Sequence, residues 1–253
     1  MKACATDRLW EFGVTVKIGE DEKTSMAAGL VPRRTDSETN TFIRLFTLRT
    51  QSYVRFIRFV LYPQGIRSYF LRSPLLRSGL RVLDAGCGTG VVTLALREAL
   101  LARGFTPGPF QGFDLTPAML ERFTQQLEKR GIRGVEVAQA DVLQLDGLPI
   151  NWQNYDLIVS ASMLEYIPPD RLVAALRGIR GLLHRDGRFI LFITRRTWLM
   201  RLLIGRWWQS NLYNAPELEE AFRRAGFANV AFGAFPPLFR HLAHWGHIVE
   251  ARA

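Results

Sequence analysis

From Leu80 onward, short apolar runs alternate with stretches of helical period, and this alternation constrains the fold more than any other feature of the chain. "LRVLDA" is a short apolar run ending in a glycine turn, and "VVTLALREALLARG" is a helix closed by glycine. "PFQGFD" is a strand, and "TPAMLERFTQQLEKRG" is a helix with Thr116 as N-cap and Pro117 in the first position. "GVEVAQAD" alternates as a strand, while "YDLIVSA" is continuously apolar, as in the middle of a parallel sheet. "PPDRLVAALRGIRGLLHRDG" is a helix ending in a turn, "RFILFIT" a strand and "APELEEAFRRAGF" a helix. "NVAFGAF" and "GHIVEARA" are final strands, joined by a short non-helical loop and able to pair antiparallel. The pattern predicts an α/β fold: a doubly wound, Rossmann-like, seven-stranded, mostly parallel sheet with an antiparallel C-terminal strand.

Ahead of the sheet, residues 1–38 mix charges with Thr, Ser and Gly and predict a flexible tail. Residues 39–79 predict a basic amphipathic helical arm. Phe42, Leu45, Phe46, Tyr53, Phe56, Ile57 and Val60 recur at helical spacing, "YPQG" ends that helix, and a second short helix runs from Ile66 to Leu76. Residues 80–253 form the main domain, with an insertion at about 195–215. With 253 residues and 48% hydrophobic content, the chain can fill one good-sized core, and its composition excludes a fibrous or disordered protein.

Two distant cysteines, Cys4 and Cys87, do not make a disulfide framework. With no apolar run of signal-peptide or membrane-spanning length, a cytoplasmic protein without a transmembrane span is expected. The net charge of +10 is unevenly spread. Between Glu38 and Asp84 there are eight arginines and no acid, and Asp186 to Glu217 is again acid-free, with Arg188, Arg195, Arg196, Arg201 and Arg206. Two basic blocks imply an anionic partner.

The glycine-rich stretch "RVLDAGCGTG" lacks the features of a phosphate cradle. A triphosphate loop needs a lysine and a hydroxyl residue after its last glycine, where Val91 and Val92 stand. A dinucleotide loop needs a sixth-position glycine, where Val91 stands again. The loop brings bare backbone close to a ligand, and Asp84 at its mouth would repel an anion but suit an ammonium group. Asp114, ending the second strand in "GFDLTPAML", can accept from both hydroxyls of a ribose. Asp141 in "QADVLQL" can accept from an adenine amine, and the Val142 backbone can donate to a ring nitrogen. A ribose, an adenine, a cationic or zwitterionic end and no phosphate describe S-adenosylmethionine.

The chain resembles the class I S-adenosylmethionine-dependent methyltransferases. "VLDAGCGTG" is similar to the family's glycine motif, "GFDLTPAML" to its ribose motif and "ADVLQL" to its adenine motif. "YDLIVSASMLEYIP" and "LLHRDGRFILFI" are similar to its fourth- and fifth-strand segments. The resemblance implies that Asp84, Gly86 and Gly88 line the methionine end, with the backbone of Gly90 near it. It implies that Asp114 binds ribose with Leu115 beside the adenine, that Asp141 and Val142 read the adenine edge, and that the carbonyl of Ser160 or Ala161 faces the methionine ammonium. Where the family often has a histidine, this chain has Tyr166, so a histidine base is absent at that place.

The reaction implied is in-line transfer of a methyl group to an O, N or C atom. Approach geometry and desolvation do most of the work in such a step. The acceptor is expected to contact the arm and the insertion, which are both basic and rich in aromatic side chains. That combination suits a small amphiphilic or aromatic, lipid-like acceptor, or peripheral docking at an anionic membrane. Trp198, Trp207, Trp208 and Tyr213 are candidate acceptor-lining residues, and Glu165 and Tyr166, at the fourth-strand tip, are candidate catalytic residues. Nucleic acid is the less favoured acceptor, because "NPPY"- or "DPPY"-like runs and an RNA-binding module are absent. A non-catalytic cofactor-binding scaffold is a further alternative. His241, His244 and His247 are read as loop or core residues, with no metal site.

Overall fold

A computed structural model describes residues 16–17, 55, 57–200 and 210–253. The remaining residues, with most of the tail, most of the first arm helix and Trp207 and Trp208, lie outside the described residues. The strands are β1 (Val16–Lys17), β2 (Val82–Ala85), β3 (Phe110–Asp114), β4 (Val135–Gln139), β5 (Tyr155–Ala161), β6 (Leu183–Thr194), β7 (Ala228–Gly233) and β8 (Gly246–Arg252). The principal helices are α1 (Tyr62–Arg72), α2 (Val91–Ala102), α3 (Pro117–Lys129), α4 (Leu172–Leu182) and α5 (Ala215–Arg224).

The strands form one sheet in the order β1-β4-β3-β2-β5-β6-β8-β7. Neighbours from β1 to β6 are parallel, and β8 lies antiparallel between β6 and β7. The seven strands of the sequence pattern are present. An eighth is added by Val16–Lys17, which pairs with Val137 and Ala138 at the sheet edge, so part of the N-terminal stretch read as a tail is strand.

Apolar side chains on the two sheet faces seed two cores. On one face Ile66 and Phe70 of α1, Leu96 and Leu100 of α2 and Phe123 and Leu127 of α3 pack with Val82, Leu157, Ile190 and Phe192. On the other, Leu176 and Ile179 of α4 and Leu218 and Phe222 of α5 pack with Leu83, Ile158, Phe189 and Leu191. Adjacent residues of one strand serve opposite cores because successive side chains alternate across a sheet, and burial on both faces makes these strands continuously apolar.

Three local expectations are corrected. "YPQG" begins α1 instead of ending a helix: Pro63 sits in its first turn, where a missing N–H costs nothing. The break falls just before it, at Leu61, whose φ of 57° is left-handed. The same helix ends at Arg72 rather than Leu76, because Pro74 holds Ser73 extended (φ −69°, ψ 129°). The connection between the last two strands is helical, a 3-10 segment from Pro237 to His244.

The order of strands reverses between β2 and β5. The carboxyl ends of these neighbours diverge into separate crossovers and leave a crevice, the usual ligand position on such a sheet. The turn from β2 into α2 occupies one side of it. Gly86, Gly88 and Gly90 take φ of 73°, 52° and 81°, and the Phe113 carbonyl accepts from both Gly86 N (2.8 Å) and Cys87 N (2.9 Å). Gly90 lies against Phe123, and a Cβ there would meet the ring at 2.0–2.6 Å.

Gly90→Ala therefore combines backbone strain with a clash in the core and should destabilise the fold by about 3 kcal/mol or more. Gly79→Ala, with φ of 73° but nothing within 4 Å of its Cβ, should lose only about 1 kcal/mol. Urea midpoints of the two variants check this, and equal losses would refute the packing role.

Candidate active site

A solvent-open cleft of about 610 Å³ occupies the switch-point crevice. Gly86 and Gly88 come from the turn after β2, and Phe113, Asp114, Leu115, Thr116 and Met119 from the end of β3 and the start of α3. Ala140, Asp141 and Val142 follow β4; Ala161 ends β5, and Ser162, Met163, Tyr166 and Ile167 follow it. Seven of the ten expected cofactor residues thus line one cleft: Gly86, Gly88, Asp114, Leu115, Asp141, Val142 and Ala161.

Asp114 is held by backbone. Its Oδ2 accepts from Gly88 N at 2.9 Å and its Oδ1 from Thr116 N at 2.8 Å. Burial pushes its carboxyl up, and these backbone bonds pull against that shift. A carboxylate oxygen can accept more than one bond, so each retains capacity on the cleft side. Asp141 accepts from Leu143 N at 3.0 Å through Oδ1, which fixes the turn after β4. A Cβ on Gly86 would lie 2.4 Å from Met163, so this glycine lets the loops after β2 and β5 touch. At Gly88 a Cβ would reach only Asp114 Oδ2, at 4.0 Å, so the bare backbone there faces the cleft.

Asp84, Gly90 and Ser160 are placed away from the cleft wall. The Asp84 carboxylate turns under the start of α2, where Oδ2 accepts from Thr93 N (3.0 Å) and Thr93 Oγ1 (2.6 Å). It is a helix-start acceptor instead of an acid at the mouth. Its Oδ1 has no partner among the described residues. Burial pushes its pKa up to about 7, against the Thr93 bonds that lower it, and the Asp114 charge adds to the rise. Gly90 serves the Phe123 contact described above, and Ser160 is fully buried within β5. Cys87 is also buried, against Gly112, and its thiol pKa is raised by burial, so it is a small packing residue and not an activated nucleophile.

A second hollow, also open to solvent and enclosing about 670 Å³ of empty space, adjoins the cleft and shares Ser162 and Tyr166 with it. Its walls are mainly apolar: Ile57, Val60 and Tyr62 from the arm, Phe192 and Ile193 from β6, and Phe235, Leu242 and Trp245 from the connection between β7 and β8. Glu165, Thr194 and His247 also line it. Glu165 is buried, and its Oε2 accepts from Thr194 N at 2.9 Å. Burial pushes the Glu165 pKa up to about 7, against the Thr194 bonds. His247 is half-buried, its Nε2 lacks a partner among the described residues, and burial followed by the Arg195 charge holds its pKa below the ordinary value.

Of the expected acceptor-lining residues, Trp207 and Trp208 lie outside the described residues. Trp198 is 78% exposed and lines neither cavity. Tyr213 is buried by the segment before α5 and lines a separate hollow with Arg196, Glu217 and Arg224. Burial first, then the Glu165 charge, pushes its phenol up to about 12. The apolar cavity is lined instead by residues that had a visible signal: Phe235, Leu242 and Trp245 recur at helical spacing in "FPPLFRHLAHW". Ser162 had none, because a left-handed residue that is not glycine (φ 54°) leaves no mark in sequence. His241 and His244 lie on the 3-10 segment and His247 on β8, and among the described residues no group of three possible metal ligands converges.

An open parallel sheet with a glycine turn after its first long strand and an acid closing the next is a nucleoside-binding architecture. Residues 76–234 match the family described as "Methyltransferase domain". The chain belongs to this family, whose methyl donor is S-adenosylmethionine. It is 28% identical over 126 residues to aklanonic acid methyltransferase DauC of Streptomyces sp. (strain C5), covering 50% of this chain and 52% of that protein. It is 27% identical over 128 residues to the ubiquinone biosynthesis O-methyltransferase of Haemophilus ducreyi, covering 50% of each. The chain thus spans about half the length of these curated relatives. Among solved structures, PigF with SAH aligns at a TM-score of 0.64 and 21% identity, over 86% of this chain and 69% of that one. Magnesium protoporphyrin IX methyltransferase (ChlM) from Synechocystis PCC 6803 with bound SAM aligns at 0.59 and 17%, over 88% and 99%. These two alignments support the same fold.

The Asp84 geometry has a pH consequence. A carboxyl whose folded pKa lies above its unfolded value keeps its proton in the fold after the unfolded chain has lost it. Stability is then fully present below about pH 4 and falls as pH rises through about 7. Asp84→Asn should flatten this slope and remove a cost on the order of 4 kcal/mol at pH 8. Urea melts between pH 5 and pH 8 (roughly spanning the folded titration) measure it, and an unchanged slope would refute the assignment.

Proposed function

We propose that this protein transfers a methyl group from S-adenosylmethionine, held in the switch-point cleft, to a small amphiphilic or aromatic acceptor held in the adjoining apolar cavity. The observation that carries the reading is the junction of the two cavities at Ser162 and Tyr166: a cleft that bears Asp114 and Asp141 opens beside a cavity walled mainly by aromatic and aliphatic side chains. Relatives named for aklanonic acid and for ubiquinone biosynthesis support a small-molecule acceptor.

In this reading Asp114 accepts from the ribose hydroxyls, since backbone bonds already aim both of its oxygens and the ligand need not order them. Leu115 and Met119 pack beside the adenine, and Asp141 and Val142 read its edge. Gly86, Gly88, Ala161 and Ser162 surround the methionine end. When bound, S-adenosylmethionine supplies a methyl group on a positively charged sulfur, already activated for in-line displacement. The protein's share is orientation and exclusion of water, which the apolar wall of Val60, Phe192, Phe235 and Leu242 supports. Tyr166 stands at the junction, where it contacts the acceptor. Glu165 is the polar group that meets an acceptor hydroxyl or amine, and it takes the proton when the acceptor atom carries one.

Calorimetry should show S-adenosylmethionine binding that Asp114→Ala weakens by about 1–3 kcal/mol, the usual cost of a lost charge-assisted hydrogen bond; unchanged affinity would remove the ribose assignment. Incubating a cell extract with tritiated donor, then separating lipid, nucleic acid, protein and small polar pools, identifies the acceptor class. Label in nucleic acid alone would overturn the small-molecule reading. With the acceptor found, the rate should rise with pH through about 7 as Glu165 ionises, and Glu165→Gln should lower it and abolish the rise. A rise that survives in Glu165→Gln would exclude Glu165 as the base.

A further inference from the structure

Three acid-free stretches, one from the arm and two that flank the acidic residues 217–220, supply walls to the apolar cavity. Residues 39–83 supply Ile57, Val60 and Tyr62 to its wall, and residues 187–216 supply Phe192, Ile193 and Thr194. Residues 221–249 supply Phe235, Leu242 and Trp245. The third acid-free stretch is not conspicuous in sequence, because it holds few arginines. The first and third are joined by His241 Nε2 on the Val60 carbonyl (3.1 Å) and by Leu242 packed over Gly65.

Around this junction large apolar side chains point to solvent. Phe59 is 87% exposed, and Leu61, on the other side of the cavity-lining Val60, is 46% exposed. Leu238 is 80% exposed, on the 3-10 segment whose Leu242 lines the cavity. Leu61 is held outward by a left-handed backbone (φ 57°). Arginines accompany these side chains. Several arginines elsewhere in the basic blocks are paired: Arg67 with Glu98, Arg77 with Asp156 and Arg196 with Glu217. Arg55, Arg58 and Arg240, beside the exposed apolar residues, are exposed and have no acidic partner among the described residues.

We propose that this rim docks on an anionic lipid bilayer, with Phe59, Leu61 and Leu238 inserted among the acyl chains and Arg55, Arg58 and Arg240 on the headgroups. Apolar side chains beside cations that have no acidic partner among the described residues fit such an interface, since insertion removes apolar area from water while each cation gains attraction to the negative surface. A nucleic-acid strand could meet the charge and stack a base on Phe59, but it offers little to the exposed aliphatic side chains of Leu61 and Leu238, which acyl chains accommodate. The docked orientation turns the mouth of the apolar cavity toward the bilayer. Docking itself does not depend on the methyl-transfer reading, and its test uses no methyl donor.

The full chain should float with phosphatidylcholine vesicles that contain phosphatidylglycerol and not with phosphatidylcholine alone. Phe59→Ser with Leu238→Ser should weaken this binding by roughly tenfold or more. Arg58→Gln with Arg240→Gln should weaken it similarly and reduce its sensitivity to salt. All four positions are solvent-exposed, so folding should survive, with circular dichroism and S-adenosylmethionine binding as the check. Equal flotation on both vesicle types, no flotation on either, full binding by both double variants, or RNA binding without vesicle binding would each overturn the proposal.

Discussion

The rest of the site depends on how the chain leaves its central strand. Between Ala85 and Val91 it must turn from β2 into α2, and it does so through three left-handed glycines pinned by the end of β3. The Phe113 carbonyl takes two turn N–H groups, and the next residue, Asp114, takes a third from Gly88. One strand end therefore fixes both the glycine loop and the carboxylate opposite it. The cleft is preorganised because its backbone donors are already committed to a rigid sheet. The Asp84–Thr93 bonds hold the far side of the same turn onto the helix, with a carboxyl that burial keeps reluctant to ionise.

That constraint separates two kinds of acidic residue that look alike in a list. Asp84 and Asp114 each close a parallel strand, and each can be written as a ligand. Asp84 turns inward because the first turn of α2 offers it two donors, while Asp114 is held by backbone at the cleft wall. Likewise the three glycines have three jobs. Gly86 lets Met163 approach, Gly88 faces the ligand space, and Gly90 makes room for Phe123. A motif records that bare backbone is needed at all three positions and does not say against what.

The apolar cavity follows different physics. Its wall is assembled from the arm, the end of β6 and the connection between β7 and β8, whose meeting depends on β8 inserting between β6 and β7. In sequence the arm and the post-β6 insertion stood out through their arginines and tryptophans. Yet Trp198 faces solvent, Tyr213 packs elsewhere, and the wall comes instead from Phe235, Leu242 and Trp245. Glu165, chosen from its place at a strand tip, lines the cavity, where its Oε2 accepts from Thr194 N.

By itself the sequence determined the alternation of strands and helices, hence the parallel sheet, the switch point and the cleft residues Gly86, Gly88, Asp114, Asp141 and Val142. These are local properties: a hydrophobic period, a turn that only glycine fits, and an acid at a strand's end. The boundaries of α1 are set locally, by Pro63 in its first turn and Pro74 just past its end, whereas the edge strand Val16–Lys17 and the helical link between the last strands were decided by tertiary packing, which selects among local conformations of similar energy. Only the folded chain could decide that Asp84 faces inward, that Ser162 turns left-handed at the junction of two cavities, and that the arm meets the link between β7 and β8 at one rim. The last joins Val60 to His241 across 181 residues, a distance that no spacing along the sequence encodes; the first is a bond to Thr93 only nine residues on, but the packed start of α2 sets which way the carboxylate turns.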